Sequence, residues 1–428
     1  MIHYRGMNVT EHRIEVPLDH HEPNGEKITV FAREISTDES KPWLLFLQGG
    51  PGGKSPRPGS LSGWLAEATK DFRVLLLDQR GTGLSTPANR QSLGLRGDAA
   101  AQARYLSHFR ADSIVRDAEA LREHLDINKW STLGQSYGGF CTLTYLSMFP
   151  NSLERCLVTG GLASLDGDAQ TVYRATYQRM AERNREYFSW YPQDFDTLHK
   201  IYNHLRHNDD ELLPDGRKVT VPLVQMLGMF LGGNTRVHLL HHVFEEALIQ
   251  TPGGERLSDT FLATLYAQAS FATNPLYALM HETIYAQGAA TNWAAQSVME
   301  EYPDFTEQSD TPLLTGEMIY RWHFTDDPAL RPFEEVARIL AEHEHFEPLY
   351  DLDVLSQNTV PVAAAVYHDD VYVDRELSLR TASQVNGLQA WVTEDFHHDG
   401  IGDEGPAIFR RLLAMTNGED PEAAATAD

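Results

Sequence analysis

Residues Gly134-Gln135-Ser136-Tyr137-Gly138 stand between a short apolar run, Trp130-Ser131-Thr132-Leu133, and a segment from Gly138 to Met148 with helical character. No other stretch limits the fold so tightly. The run reads as a strand, so the serine falls in the bend where strand turns into helix. The flanking glycines suit that bend, because the serine backbone there is strained and side chains beside it would clash. The bend exposes the hydroxyl at a helix N-terminus, where free N–H groups and the helix dipole favour negative charge. This strand–GxSxG–helix order is a nucleophile elbow, with Ser136 as the expected nucleophile.

The rest of the chain supplies the setting for such an elbow. Residues 12–17 and 27–35 alternate apolar and polar around Pro23-Asn24-Gly25 and predict an antiparallel hairpin. Residues 43–47 and 74–77 are wholly apolar and suit strands buried on both faces of a parallel sheet. Ile114, Val115, Ala118, Leu121 and Leu125 recur at helical spacing over 112–126, with Asp112 or Ser113 as the expected cap. Leu157-Val158-Thr159 reads as a further strand. Strand and helix thus alternate, as in an α/β sheet.

From about residue 168 to 350 the pattern turns helical, rich in Trp, Tyr, Phe, Met and His, and no apolar strand run stands out. Strand signals return at 360–366 and 388–392, and a last helix is expected at 404–416. The predicted fold class is α/β: an α/β-hydrolase core with a mostly parallel sheet and an inserted helical cap domain. Residues 1–167 form the first part of the core, 168–350 the cap and 351–418 the second part. The acidic, Ala-rich tail 419–428 is expected to be disordered.

Gln48-Gly49-Gly50-Pro51-Gly52-Gly53 follows the 43–47 strand directly. In this fold a loop at that place gives one N–H to the oxyanion hole, and the residue after the nucleophile gives the other. The expected donors are the Tyr137 amide and the loop around Gly49 and Gly50. A serine also needs a base, and the base an orienting carboxylate, in the chain order Ser, Asp or Glu, His. Only the ends of the two late strands fit. The first runs into His368-Asp369-Asp370, the second into Glu394-Asp395-Phe396-His397-His398. Asp370 and His398 are chosen, with Asp369 and His397 as competitors that periodicity does not separate.

Composition removes several other classes. With 61 acidic against 35 basic residues the net charge is −26, which repels phosphate backbones and anionic lipid. No apolar run approaches the ~18 residues of a membrane span, and the first residues lack a secretory signal, so the cytoplasm is the expected location. The two cysteines, Cys141 and Cys156, are expected to be buried free thiols, and neither they nor the scattered histidines suggest a zinc site.

With these residues in hand, the chain resembles the proline iminopeptidases, in particular their larger bacterial type. The resemblance spans nearly the whole chain and rests on Gln48-Gly-Gly-Pro-Gly52, Asp78-Gln-Arg-Gly-Thr-Gly-Leu-Ser85, Gly134-Gln-Ser-Tyr-Gly-Gly139 and the Asp370/His398 pair. It implies removal of an N-terminal proline from a short peptide by a Ser136–His398–Asp370 triad, with no metal or organic cofactor. The 28 residues from Asp370 to His398 resemble the family's spacing and favour His398 over His397. Gln48 departs from the family's usual histidine at that place. The resemblance also implies cap glutamates that hold the substrate amine. Ala278 to Tyr285 resembles the segment that supplies one, which maps to Glu282; Glu347 and Glu317 are candidates for the second. A carboxylesterase or other small-molecule serine hydrolase is the nearer alternative, and a non-catalytic binding protein on the same scaffold the further one.

Overall fold

The short apolar runs become the parallel half of one nine-stranded sheet in the computed structural model, which describes residues 2–4, 6–208 and 210–426. The strands are β1 (Ile2–Tyr4), β2 (Met7–Pro17), β3 (Lys27–Ser36), β4 (Trp43–Leu47), β5 (Arg73–Asp78), β6 (Trp130–Gln135) and β7 (Leu153–Thr159). After a cap hairpin of β8 (Leu248–Thr251) and β9 (Gly254–Leu257), β10 (Val362–Tyr367) and β11 (Leu388–Thr393) complete it. The order is β1-β2-β3-β5-β4-β6-β7-β10-β11. The first three strands pair antiparallel, β3 joins β5 antiparallel, and the remaining six are mutually parallel.

Period-two alternation explains why the central runs are wholly apolar. Leu45 and Leu47 of β4 face a layer of helices that contains Ile114, Val115, Phe140 and Leu143. Leu44 and Phe46 face the opposite layer, with Leu65, Ile408, Phe409 and Leu412. Both faces are covered, so no position on the strand needs a polar side chain. The sheet thereby holds the C-terminal ends of β6, β10 and β11 close together on one rim.

Between β7 and β10 the chain runs mainly through helices, beginning with Ala169–Trp190, whose cap is Asp168 accepting from the Thr171 amide at 2.7 Å. This insertion has its own apolar cluster, including Tyr173, Tyr177, Leu198, Ile201, Leu227, Leu240 and Phe261. The β8–β9 hairpin within it has no counterpart in the sequence reading, because its strands are four residues each and mostly uncovered. No helix of the described residues is long and apolar enough to cross a membrane.

Three expectations are corrected. The first helix of the core layer spans Ala111–His124, and its capping position is Arg110, not Asp112 or Ser113. The Arg110 side chain crosses to the carbonyl oxygens of Thr283, Ala286 and Glu347, so it ties core to cap instead of closing the helix end. The segment expected to be disordered forms a helical turn, Pro421–Ala425, held by Asp420 at its start and by Arg410, which donates to the Ala424 carbonyl at 3.0 Å. The last two residues, Ala427 and Asp428, lie outside the described residues. The third, Glu347, belongs to the site and is taken up there. Cys141 and Cys156 are both buried and unpaired. Burial pushes the Cys156 thiol up to about 12 and raises that of Cys141 further, so neither is a nucleophile.

Candidate active site

Ser136 follows β6 directly, with φ 54° and ψ −124°, a left-handed conformation that a residue with a Cβ adopts only under constraint. Two backbone bonds supply it: the Ser136 amide donates to the Thr159 carbonyl at 2.9 Å, and its own carbonyl accepts from Gly139 at 2.7 Å. The bend also needs bare backbone on its inner side. A Cβ on Gly138 would overlap the Leu47 carbonyl oxygen at the end of β4. The two strands can therefore bring their loops together only because this position is glycine.

His398 Nε2 lies 2.9 Å from Ser136 Oγ, and its Nδ1 lies 2.9 and 3.1 Å from the two oxygens of Asp370. Asp370 Oδ1 also accepts from the amides of Tyr372 at 2.9 Å and Val373 at 3.0 Å, which fixes the carboxylate's orientation. All three side chains are buried. The structure thus selects between neighbours that periodicity left open. Asp369 is turned outward to His368 Nδ1 at 2.8 Å, and His397 Nδ1 is without a hydrogen-bond partner among the described residues. Burial alone would lower the His398 pKa, but the charge and hydrogen bond of Asp370 outweigh it, and Glu317 and Asp399 add to them. The result is about 9, against 6.5 for an ordinary histidine.

The glycine loop after β4 runs beside the serine. A Cβ on Gly49 would lie 3.0 Å from Ser136 Cβ, so the loop backbone is as close as a side-chain-free position allows. Tyr137 opens the helix Tyr137–Met148, and its N–H is one of the donors a helix start leaves without an internal partner. The Asp78-to-Ser85 motif explains how the loop is held. Gln79 Nε2 donates to the Gln48 carbonyl at 2.9 Å, and Asp78 accepts from the amide and hydroxyl of Ser55 at 3.1 and 2.7 Å. Arg80, fully buried, binds Asp117 through Nε at 2.7 Å. This scaffolding role was missed in the sequence, where the motif entered only through resemblance.

The cap closes on the site from the other side. Gly52 of the loop packs against Asn274 and the amide of Tyr277, at the start of helix Pro275–Met280. Tyr277 donates from its hydroxyl to Glu317 Oε1 at 3.0 Å. Burial pushes the Glu317 carboxyl up, while the nearby His398 charge and the Tyr277 hydrogen bond pull it down. Among the described residues no cation lies within ion-pair distance of it. Tyr372 stands edge-on to the His398 ring, with centroids 5.0 Å apart.

The other two glutamates differ. Glu282 is buried, and its oxygens accept from the amides of Ala294 at 3.2 Å and Ala295 at 3.0 Å, so it caps the helix Ala294–Met299, whose own capping residue, Trp293, makes no side-chain cap bond. Burial raises its carboxyl to about 7 against these hydrogen bonds. The ring of Tyr285 lies in the field of both Glu317 and Glu282. Glu347 is exposed on the far side of Arg110, which takes its carbonyl. It is withdrawn as an amine ligand: it and Pro348 are exposed, so its carboxylate is solvated and gains little from pairing with an ammonium. No group of three or more His, Cys, Asp or Glu among the described residues is arranged to hold a metal ion.

A comparison with known proteins shows the family. Residues 42–211 match the family described as alpha/beta hydrolase fold. The chain is 44% identical over 423 residues to a proline iminopeptidase of Aeromonas sobria, covering 97% of this chain and 98% of the relative. It is 34% identical to a proline iminopeptidase of Aspergillus aculeatus, covering 95% of this chain and 93% of the relative.

Proposed function

The chain belongs to the proline iminopeptidases, serine hydrolases of the α/β-hydrolase superfamily, and from that premise we propose that it releases N-terminal proline from peptides through an acyl-enzyme on Ser136. Ser136 Oγ attacks the proline carbonyl while His398 Nε2 takes its proton. The tetrahedral oxyanion is held by the Tyr137 amide and the Gly49–Gly50 loop. Collapse breaks the peptide C–N bond, and the imidazolium returns the proton to the leaving amine. Water, deprotonated by the same imidazole, then frees proline from the serine. Asp370 keeps Nδ1 protonated and stabilises the charged ring at each transfer.

The observation that carries this reading is a half-buried carboxylate, Glu317, without a cation of its own and close enough to His398 to raise its pKa. A substrate ammonium is the natural partner, because a charge in that place is costly unless paired. Glu282, whose charge like that of Glu317 acts on Tyr285, is the proposed second carboxylate. The Coulomb coupling also gives the free amine a part in the chemistry. Once the ammonium offsets Glu317, His398 is held less strongly as imidazolium, so more of it stands as the neutral base that can take the serine proton.

The test is a proline anilide with a free amine against its N-acetyl form. The free amine should be cleaved and the acetylated form not, and Ser136→Ala should lose activity by about 10⁴-fold or more with the fold intact. Equal cleavage of the two anilides defeats the aminopeptidase reading. Rapid hydrolysis of short acyl esters with neither anilide cleaved favours an esterase. The cytoplasm is the proposed location, to be checked by cell fractionation.

A further inference from the structure

The triad and Glu317 account for the proline end of a substrate. They leave open what meets the other end, where the leaving peptide departs over His398. The segment 232–236 of the cap crosses the rim at this point. A Cβ on Gly232 would overlap the Tyr372 ring, which itself stands edge-on to His398. A Cβ on Gly233 would lie 2.8 Å from Arg236 Cβ and 2.9 Å from Asp399 Oδ2. Thr235 Oγ1 donates to Asp403 Oδ1 at 3.2 Å and Asn234 Nδ2 to the Asp395 carbonyl at 3.4 Å, so both sides of the cap–core seam are tied here. These two glycines let the segment lie flat against the site, and its last residue, Arg236, ends beside Asp399, next in sequence to His398.

Arg236 is poorly partnered for a cation in such surroundings. Its side chain is 41% exposed, and its guanidinium is 3.8 Å from Asp399 Oδ2, beyond hydrogen-bond reach. It lies 5.6 Å from the Phe230 ring centroid, which holds the side chain along the rim. Its charge reaches both Glu317 and Tyr372. Most other formal charges brought together here are negative, namely Glu317, Asp370, Asp399 and Asp403; apart from His398, the further cation is Arg183, which is buried, donates to the Leu231 and Gly233 carbonyls and is paired with Glu186.

That imbalance has a chemical meaning. One residue spans about 3.5 Å, so a proline-headed dipeptide carries its terminal carboxylate within about one residue of the scissile nitrogen. Such an anion would enter an acidic rim on a chain of net charge −26. Repulsion would exclude it unless a cation stood where the carboxylate arrives. A guanidinium has the donor fork to take a carboxylate in bidentate fashion, and one with only a long contact to Asp399 is free to exchange partners.

We propose that Arg236 binds the C-terminal carboxylate of short proline-headed peptides, and so selects dipeptides and tripeptides over the same sequences ended by an amide. The proposal rests on the aminopeptidase reading given above.

The experiment compares the wild-type chain, Arg236→Gln and Arg236→Lys on Pro-Gly, Pro-Gly-Gly and their C-terminal amides, with proline anilide as a control. The wild type should prefer each acid to its amide. In Arg236→Gln that preference, as a ratio of kcat/KM values, should fall about tenfold, equivalent to about 1.4 kcal/mol, mainly through KM for the acids. Arg236→Lys should restore part of it, because the charge remains while the fork is lost. An acid-to-amide ratio that is the same in all three proteins overturns the proposal, as does a loss in Arg236→Gln that is equal for acids and amides. If the wild type cleaves anilide and peptides but the ratio ignores position 236, only this inference falls. If it cleaves none of them, the aminopeptidase reading falls and takes the inference with it.

Discussion

Replacing Asp370 by Asn separates charge from shape at the most consequential hydrogen bond in the molecule. Asp370 Oδ1 accepts from the amides of Tyr372 and Val373, and Oδ2 faces His398 Nδ1 at 2.9 Å. An asparagine must keep its oxygen on the two amides, because its NH₂ cannot accept from them. Its NH₂ then points at His398 Nδ1, which must become an acceptor, and the ring proton moves to Nε2, where it faces Ser136 Oγ. In that tautomer the imidazole cannot take the serine proton. The charge is lost as well. Raising the His398 pKa from 6.5 to about 9 represents about 3 kcal/mol of preference for imidazolium, reached against the opposing effect of burial. Without the carboxylate, burial prevails and the pKa drops to the ordinary value or lower. Two outcomes are expected in kcat/KM for proline anilide measured from about pH 5 to about pH 10. The wild-type profile should climb with pH on an acid limb whose midpoint lies in the alkaline range. In Asp370→Asn activity near neutrality should fall by about 10³- to 10⁴-fold, and the limb should move acidward by about two pH units or more. A limb that stays in place, or a loss of less than tenfold, would refute the assignment of Asp370 as the residue that sets both tautomer and charge.

Other perturbations probe the surrounding parts. Glu317→Gln should raise KM for proline anilide by about 100-fold, from the loss of an ion pair in a desolvated site. It should also shift the acid limb to lower pH, since Glu317 helps hold His398 charged; an unchanged KM would remove it as the amine ligand. Glu282→Ala should lower unfolding stability by about 1–2 kcal/mol in a denaturant melt, because the amides of Ala294 and Ala295 lose their acceptor; a shift within 0.3 kcal/mol, about the limit of such data, would deny the capping role. Gly138→Ala should cost about 3 kcal/mol or more, since the Leu47 carbonyl belongs to a central strand that cannot move aside; a normal melt would contradict the packing of β4 against the elbow. The His398 pKa has a stability consequence too. It is raised on folding, so its stabilisation is complete below about pH 6.5 and is lost as pH rises through about 9. A pH series of melts should show that alkaline decline in the wild type and lose most of it in Asp370→Asn.

What could be read from the sequence follows from how far apart the deciding contacts lie. The strands β4, β5 and β10 announce themselves because both faces are covered and their central residues are apolar, a property of the run itself. The elbow is legible for the same reason: Gly134, Ser136 and Gly138 act on one another within five residues. The pair after the late strands could be found as a region but not as residues. The choice of Asp370 over Asp369 is made by the amides of Tyr372 and Val373 and by a ring 28 positions away, which no periodicity encodes.

The cap was least legible, and the reason bears on how the substrate is chosen. Glu282, Glu317 and Glu347 are alike in the sequence, each beside aromatic or apolar residues in a stretch without strand signals. Their fates diverge through single long-range contacts. Glu282 is taken by the start of a helix twelve residues on, Glu317 is steadied by Tyr277 forty residues back, and Glu347 is carried outward by a segment whose backbone Arg110 holds from 237 positions away. The triad needs none of this, since it is assembled wholly by the sheet. A core of this kind can cleave an acyl bond of many substrates, so selection for a free proline amine has to come from the inserted helices. A change in how the cap seats on Gly52 or Arg110 would therefore alter which peptides are cleaved before it altered the ability to form an acyl-enzyme.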